Sequence, residues 1–305
     1  MKKKLPQCRA CNSRGSSQSL RAPTVFGDND RNKAFYQCAN CDLIYMWPPL
    51  DELEESAFYA KEFEKFMEVR SGPEFDWSGP EQHIATNEGN VRRRWNVMKK
   101  YCESKSKLLE IGCSSGFMLD KFSSEGMSVV GIEPSGGFSD YLKKKKYEIY
   151  KDIDDLSQKY TNYFDVICHF FVLEHISDTR KFIKQQLELL RPEGLIFCEV
   201  PSATDPLTSH FNIPKFEEFY WSIAHHYYFT PDSINYLMAD LDITNYEIIP
   251  EQRYDISNHV TWLQDGVPGG QNRYPEIFSN EMNEIYKNNL ISNGFFDTFF
   301  LVIKN

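Results

Sequence analysis

Three groups of residues in this chain have the types and the spacing to do chemistry. Cys8-Arg9-Ala10-Cys11 and Cys38-Ala39-Asn40-Cys41 are two Cys-x-x-Cys pairs with 26 residues between them. Each pair can sit on a tight turn with both sulfurs facing one way, so Cys8, Cys11, Cys38 and Cys41 together offer four thiolates to one Zn2+. Four thiolates close the coordination sphere, which makes a structural zinc the expectation. A module this small would draw much of its folding free energy from the metal. It serves either as a surface for a substrate or partner, or only as a folding staple.

The second group surrounds Gly112-Cys113-Ser114-Ser115-Gly116, a small-residue turn between the apolar run Lys107–Ile111 and a helical run from Phe117. Small residues let the backbone approach a ligand, and the turn falls at a strand's carboxyl end, where open α/β sheets bind ligands. Glu133 follows Gly112 by 21 residues, at the end of the next apolar run. A carboxylate there can accept hydrogen bonds from ribose hydroxyls. A pyrophosphate fingerprint needs G-x-G-x-x-G. Here Ser114 takes the second glycine's place, and Glu110 would repel a pyrophosphate but suit a cationic ligand such as an ammonium beside a sulfonium. The third group is the aromatic-rich stretch 207–229, with His210, His225 and His226. Histidine titrates near neutral pH, so His225 and His226 are the candidate general bases.

Strand–helix alternation from residue 105 must position these groups. The pattern predicts strands at Lys107–Ile111, Ser128–Ile132, Tyr147–Tyr150, Phe164–His169, Leu195–Val200, 243–249 and Asp297–Lys304. It predicts helices at Phe117–Ser124, Gly137–Lys145, 154–160, Thr179–Leu190, Pro231–Asp240 with Thr230 as N-cap, and Ser279–Ile291. This is the signature of a parallel sheet with crossover helices. Residues 1–48 read as a separate cysteine module. Residues 49–104 read as a helical connector, with Leu53, Phe58, Phe63 and Phe66 at rough helical spacing, breaks at Ser71-Gly72-Pro73 and Ser78-Gly79-Pro80, and a helix from about Glu88 to Tyr101. The stretch 201–230 is the natural cap over the sheet's carboxyl end.

Glu110-x-Gly112-x-Ser114-x-Gly116 resembles the first motif of the class I S-adenosylmethionine (SAM)-dependent methyltransferases, with Ser in place of a glycine at 114. Later blocks are similar to that family in order and spacing. They include Val130-Gly131-Ile132-Glu133-Pro134-Ser135, Val172-Leu173-Glu174-His175-Ile176-Ser177-Asp178, and His226-Tyr227-Tyr228-Phe229-Thr230-Pro231. The resemblance covers about 105–305. It implies a Rossmann-like seven-stranded, mostly parallel sheet with the last strand antiparallel, beside a small N-terminal zinc ribbon. It also implies that Glu110, Gly112, Ser114 and Gly116 line the methionine part of SAM. Glu133, followed by Pro134, would bind the ribose, Asp152 and Ile153 would flank the adenine, and His169 and Phe170 would lie beside the reactive methyl. A ribbon ahead of such a domain resembles the subset that includes sugar C-methyltransferases and polysaccharide-cluster methyltransferases. His225 stands where that subset carries Glu, which leaves O-, N- and C-methylation open.

The net charge of −10 argues against nucleic acid as the main partner, because such binding draws its affinity from Lys and Arg neutralising phosphates. Arg92-Arg93-Arg94 and Lys143–Lys146 read as solvated helix faces. No apolar run reaches a bilayer-spanning length, and no apolar segment follows the first lysines, so a cytoplasmic protein without a membrane partner is expected. The expected substrate is a small polar molecule, a sugar or nucleotide-sugar in a surface-polysaccharide or natural-product pathway. The competing expectations are a nucleotide-cofactor oxidoreductase on the same sheet and a non-catalytic zinc-ribbon interaction protein.

Overall fold

The structure, a computed structural model, describes residues 5–58, Phe66, Arg70 and 79–305. Phe63, the Ser71-Gly72-Pro73 break and Ser78 lie outside them. Seven strands make the main sheet: β4 (Lys107–Ile111), β5 (Ser128–Ile132), β6 (Glu148–Tyr150), β7 (Phe164–Phe170), β8 (Leu190–Pro201), β10 (Tyr246–Glu251) and β11 (Thr298–Lys304). Their order is β10-β11-β8-β7-β4-β5-β6. β4 pairs in parallel with β5 and β7, as does β7 with β8, whereas β11 runs antiparallel to both β8 and β10. This is an α/β Rossmann-like sheet with the antiparallel closing strand that the motif order implied.

The sheet is buried on both faces, so its central strands are almost continuously apolar. Leu108, Leu109, Ile167, Phe197, Phe300 and Leu301 are fully buried within it. The flanking helices start on side-chain caps. Asp152, Asp178, Thr230 and Ser279 each accept a hydrogen bond from a backbone N–H in the first turn of the following helix, satisfying donors that the helix itself leaves unpaired. The order and termini of the elements match the sequence pattern to within a few residues, except at β8, which starts five residues earlier. A further helix, Ile256–Asp265, falls inside the segment that sequence pattern left unassigned.

A second, four-stranded sheet has the order β1-β2-β3-β9, from β1 (Gln18–Ala22), β2 (Ala34–Cys38), β3 (Ile44–Trp47) and β9 (Tyr227–Tyr228). Three strands come from the cysteine module and the fourth from the cap. Ile44 pairs with Tyr228 and Tyr45 with Tyr227, and the Met46 N–H donates to the His226 carbonyl at 3.0 Å. The module's loop pairs with the cap as well: Phe26 N–H donates to Trp221 O at 2.6 Å, and Ile223 N–H donates to Phe26 O at 2.9 Å. Phe35, Trp221 and Tyr228 pack on one another across this join.

The Arg92–Arg94 run is not a solvated face. Its helix, Glu88–Met98, lays Arg94 inward, 4% exposed, with Nε 2.7 Å from Glu199 Oε2, while Arg93 reaches Glu199 Oε1 at 2.6 Å. Three arginines side by side say nothing about a buried acid 105 residues away, so composition alone pointed the run outward. Lys143–Lys146 are exposed, as read from sequence. Among the described residues, no helix is long and apolar enough to cross a membrane.

Candidate functional site

The turn after β4 is built from backbone conformations that disfavour side chains. Gly112, Ser114 and Gly116 all have positive φ, at 72°, 45° and 82°, a region L-residues populate rarely. A Cβ on Gly112 would stand 2.7 Å from Val172 Cγ2, and one on Gly116 would stand 2.4 Å from Leu142 Cδ2. Both positions favour glycine by conformation, and a Cβ at either would have to displace the Val172 or Leu142 side chain. Gly116 then leads into the helix Phe117–Ser124, so N–H groups of its first turn face the carboxyl edge of the sheet.

Two acids flank the turn. Glu110 is 2% exposed on β4, its Oε2 has no hydrogen-bond partner, and burial holds its carboxyl well above the usual range. Glu133, just past β5, accepts from the Ser114 N–H at 2.6 Å through Oε2 and from the Ser135 N–H at 2.8 Å through Oε1. Burial raises its pKa as well, against the pull of those two N–H groups. A carboxylate offers about four lone-pair positions, so Glu133 clamps the turn and retains acceptor capacity for two hydroxyls. Pro134 continues the chain into the helix Gly136–Lys144. His83, on the helix Pro80–Thr86, closes the turn from above: its Nδ1 is 2.8 Å from Ser115 Oγ and its ring packs on Phe117 and Phe138. No motif in the sequence marked His83.

Asp152 caps the helix Ile153–Ser157 at the end of β6, with Ile153 half-buried beside it. His169 and Phe170 close β7 on opposite faces. The His169 ring packs on Phe182, and burial lowers its pKa to about 3. Phe170 lies under the Arg94 guanidinium at 4.3 Å. Phe171 follows with φ +58°, a genuine outlier for a bulky side chain and of the kind that clusters at functional sites.

That kink delivers the short turn Leu173–His175 beneath the cap. Glu174 is 1% exposed, neither of its carboxylate oxygens has a hydrogen-bond partner, and burial pushes its pKa up to about 8. His175 Nδ1 lies 2.7 Å from the Ala224 carbonyl, and its ring stands edge to face with His225 at 4.7 Å. Burial, with the nearby Arg70 and the other histidines, favours the neutral form of both rings. His226 points the other way: its Nδ1 is 3.2 Å from Arg9 and its Nε2 is 3.5 Å from Glu55. Of the two candidate bases, His225 clusters with Glu174 and His175, whereas His226 ties the cap to the cysteine module. Its own N–H donates to the Glu174 carbonyl at 2.8 Å, which fixes the cap's height over that turn. The Leu173–His175 block was visible in sequence, but its meeting with His225 depends on the fold of the cap.

The four N-terminal cysteines converge. Their sulfurs lie within 4.8 Å of one another, with Cys8–Cys41 at 3.6 Å and Cys11–Cys38 at 3.5 Å. Four thiolates at about 2.3 Å from one central cation are separated by roughly 3.8 Å, so these separations are close to a tetrahedral set. Ser13 Oγ stands 3.1 Å from the sulfurs of Cys11 and Cys38, and the Ala10 N–H donates to Cys8 Sγ at 3.4 Å.

Comparison with known proteins agrees with this geometry. A family model described as a methyltransferase domain matches residues 84–248. A ubiquinone biosynthesis O-methyltransferase from Pelagibacter ubique is 31% identical over 161 residues, 47% of this chain and 65% of that protein. A tRNA U34 carboxymethyltransferase from Helicobacter acinonychis is 29% identical over 125 residues, 37% of this chain and 48% of that protein. The chain thus spans less than two thirds of the length of these curated relatives. Among solved structures, a SAM-dependent methyltransferase from Archaeoglobus fulgidus shares the fold at a TM-score of 0.52 and 17% identity, covering 80% of this chain and 100% of that one. The matched segment holds β4 to β8, the glycine turn, both flanking acids and the cap, and more than half of the chain: the protein belongs to the methyltransferase-domain family.

Proposed function

We propose that the protein transfers a methyl group from SAM to a small polar metabolite, and that the metabolite is a sugar or nucleotide-sugar. The observation that carries the first part is the positive-φ turn Gly112–Gly116 held between Glu110 and Glu133. A Cβ on Gly112 or Gly116 would press on Val172 or Leu142 and disturb the turn, and the unpartnered Glu110 oxygen suits a ligand that brings positive charge. When bound there, SAM supplies a methyl group already activated on a sulfonium. The chain's task is alignment, since holding two reactants in line removes much of the barrier. The turn and Glu110 face the methionine part, Glu133 takes the ribose hydroxyls, and Asp152 with Ile153 flanks the adenine. Phe170 forms the floor at the end of β7.

The acceptor lies between that floor and the cap. Glu174, His175 and His225 face it and activate its nucleophilic atom, while His226 holds the cap in register. The sugar assignment rests mainly on the insert from Arg253 to Gly270 before the last helix, which resembles inserts of surface-polysaccharide methyltransferases, and also on the aromatic cap and the ribbon-plus-domain arrangement. The curated relatives named above act on other molecules. Cys8, Cys11, Cys38 and Cys41 hold a structural Zn2+ in this reading, supported by their separations and by the N–H and O–H groups around the sulfurs.

Calorimetric titration with S-adenosylhomocysteine tests the proposal. Binding at micromolar concentration is expected, and Glu133→Ala should weaken it by about tenfold or more through loss of charge-assisted hydrogen bonds. Absence of heat from the wild type at high micromolar ligand overturns the reading. Unchanged affinity in the variant removes Glu133 from the ribose.

A further inference from the structure

Arg253 stands two residues past β10, where the chain turns toward the helix Ile256–Asp265. Its backbone N–H donates to Asp297 Oδ1 at 2.9 Å and its Nε donates to Asp297 Oδ2 at 3.1 Å. Its guanidinium carbon lies 4.8 Å from the centre of the Phe171 ring and 5.0 Å from that of Tyr254. One edge of the guanidinium is thus tied to a carboxylate, and rings hold its plane. Guanidinium carries five N–H donors, of which Nε uses one. Among the described residues, neither Nη atom of Arg253 meets a hydrogen-bond acceptor, and 21% of the side chain is exposed. The result is a preformed fork with its outer edge open. Phe171, beneath it, is the positive-φ residue after β7, and the next residue, Val172, lies against Gly112. The fork therefore stands on the acceptor side of the cofactor turn, close enough for its charge to act on Glu174.

Arg70 is a second cation in this region. Its guanidinium carbon is 4.5 Å from the Phe219 ring of the cap, and its charge acts on His175, His225 and Tyr254. The other arginines here are answered by acids: Arg93 and Arg94 by Glu199, Arg93 also by Glu251 at 4.0 Å, and Arg253 by Asp297. Among the described residues no acid pairs with Arg70, and burial lowers its pKa. Taking a guanidinium out of water without a counter-charge is costly. An anion arriving with a ligand would remove that cost.

We propose that Arg253 and Arg70 bind a phosphate group of the acceptor, in the form of a phosphate ester or a diphosphate. The open edge of Arg253 matches two oxygens of one phosphate. A carboxylate would spend both of its oxygens on that fork, whereas a phosphate group has further oxygens to offer a second guanidinium. That the phosphate belongs to the methyl acceptor rests on the methyl-transfer reading, and it favours a nucleotide-sugar over a free sugar; the oxyanion site itself does not depend on that reading.

The test is calorimetric titration of the full, zinc-loaded chain with pyrophosphate, and with malonate as the carboxylate counterpart, with S-adenosylhomocysteine binding measured on the same samples. Pyrophosphate should bind, and more tightly than malonate. Arg253→Lys keeps a cation against Asp297 but loses the fork, and Arg70→Gln strands no described acid. Each should weaken pyrophosphate binding by roughly tenfold or more, the worth of one hydrogen bond to a charged group. Arg92→Gln, which removes an exposed cation from the helix Glu88–Met98, should not. S-adenosylhomocysteine affinity should survive in all three, so failure of the oxyanion site is distinguishable from failure of the cofactor reading. No binding at millimolar pyrophosphate, malonate bound as tightly as pyrophosphate, or unchanged affinity in either Arg253→Lys or Arg70→Gln overturns the proposal. If one of those two variants fails to fold by circular dichroism, the other decides.

Discussion

Glu199→Gln is the most informative perturbation of the scaffold. Glu199 is fully buried on β8 and receives Arg93 at 2.6 Å and Arg94 at 2.7 Å, and the Thr298 hydroxyl donates to the Val200 carbonyl beside it. Burial alone would push its carboxyl pKa up. The guanidinium groups of Arg94, Arg93 and Arg253 outweigh that and hold it below the usual range. The amide keeps the shape and removes the charge, which leaves Arg94 buried and uncompensated. Breaking a buried pair from one side costs about 3–5 kcal/mol. Arg93 is partly exposed and can turn to water or to Glu251, so the lower end, about 3 kcal/mol, is expected. The sign of the pH dependence follows from the lowered folded-state pKa. The charge contributes stability above the unfolded carboxyl pKa, near 4.3, and that contribution is lost as pH falls through the folded value. Urea unfolding at neutral pH and at successively lower pH, on wild type and Glu199→Gln, measures both quantities. The wild type should lose stability on acidification more steeply than the variant. A difference below about 1 kcal/mol at neutral pH, the range of an exposed pair, or identical acid slopes, would refute the reasoning.

Gly116→Ala combines a positive φ with a Cβ 2.4 Å from Leu142; a loss of about 2–4 kcal/mol from backbone strain and overpacking is expected in thermal unfolding, together with weakened S-adenosylhomocysteine binding. His225→Ala should lower turnover with little change in S-adenosylhomocysteine affinity, since its ring packs on His175 and Tyr228; wild-type turnover on an identified acceptor would remove it from the site. Cys38→Ser should abolish zinc retention and loosen the cap, read as faster proteolysis within 221–228; a variant that keeps a full equivalent of zinc by elemental analysis would contradict the four-sulfur assignment.

The main sheet was legible because its signals are local. Apolar runs, a glycine turn and capping residues such as Thr230 each act within a few residues of themselves. The cysteine cluster was legible for the same reason, as two tight turns that need only meet. What sequence did not disclose depends on partners far away in the chain. Arg94 looked like part of a charged surface because its acid lies on β8. His225 and His226 looked equivalent until the backbone of the cap, pinned by the module, turned one toward Glu174 and the other toward Arg9. The helix Ile256–Asp265 was hidden in a polar, glycine-ended segment, although Asp255 is its cap and accepts from the Asn258 N–H at 2.8 Å.

The strand Tyr227–Tyr228 belongs to two neighbourhoods at once, hydrogen-bonded to the N-terminal module on one side and continuous with the histidine loop on the other. Excising residues 1–48 would therefore strip a sheet edge bare beside the histidine loop rather than trim an accessory. Grafting a foreign ribbon would succeed only if its last strand offered the donor and acceptor pattern of Ile44, Tyr45 and Met46.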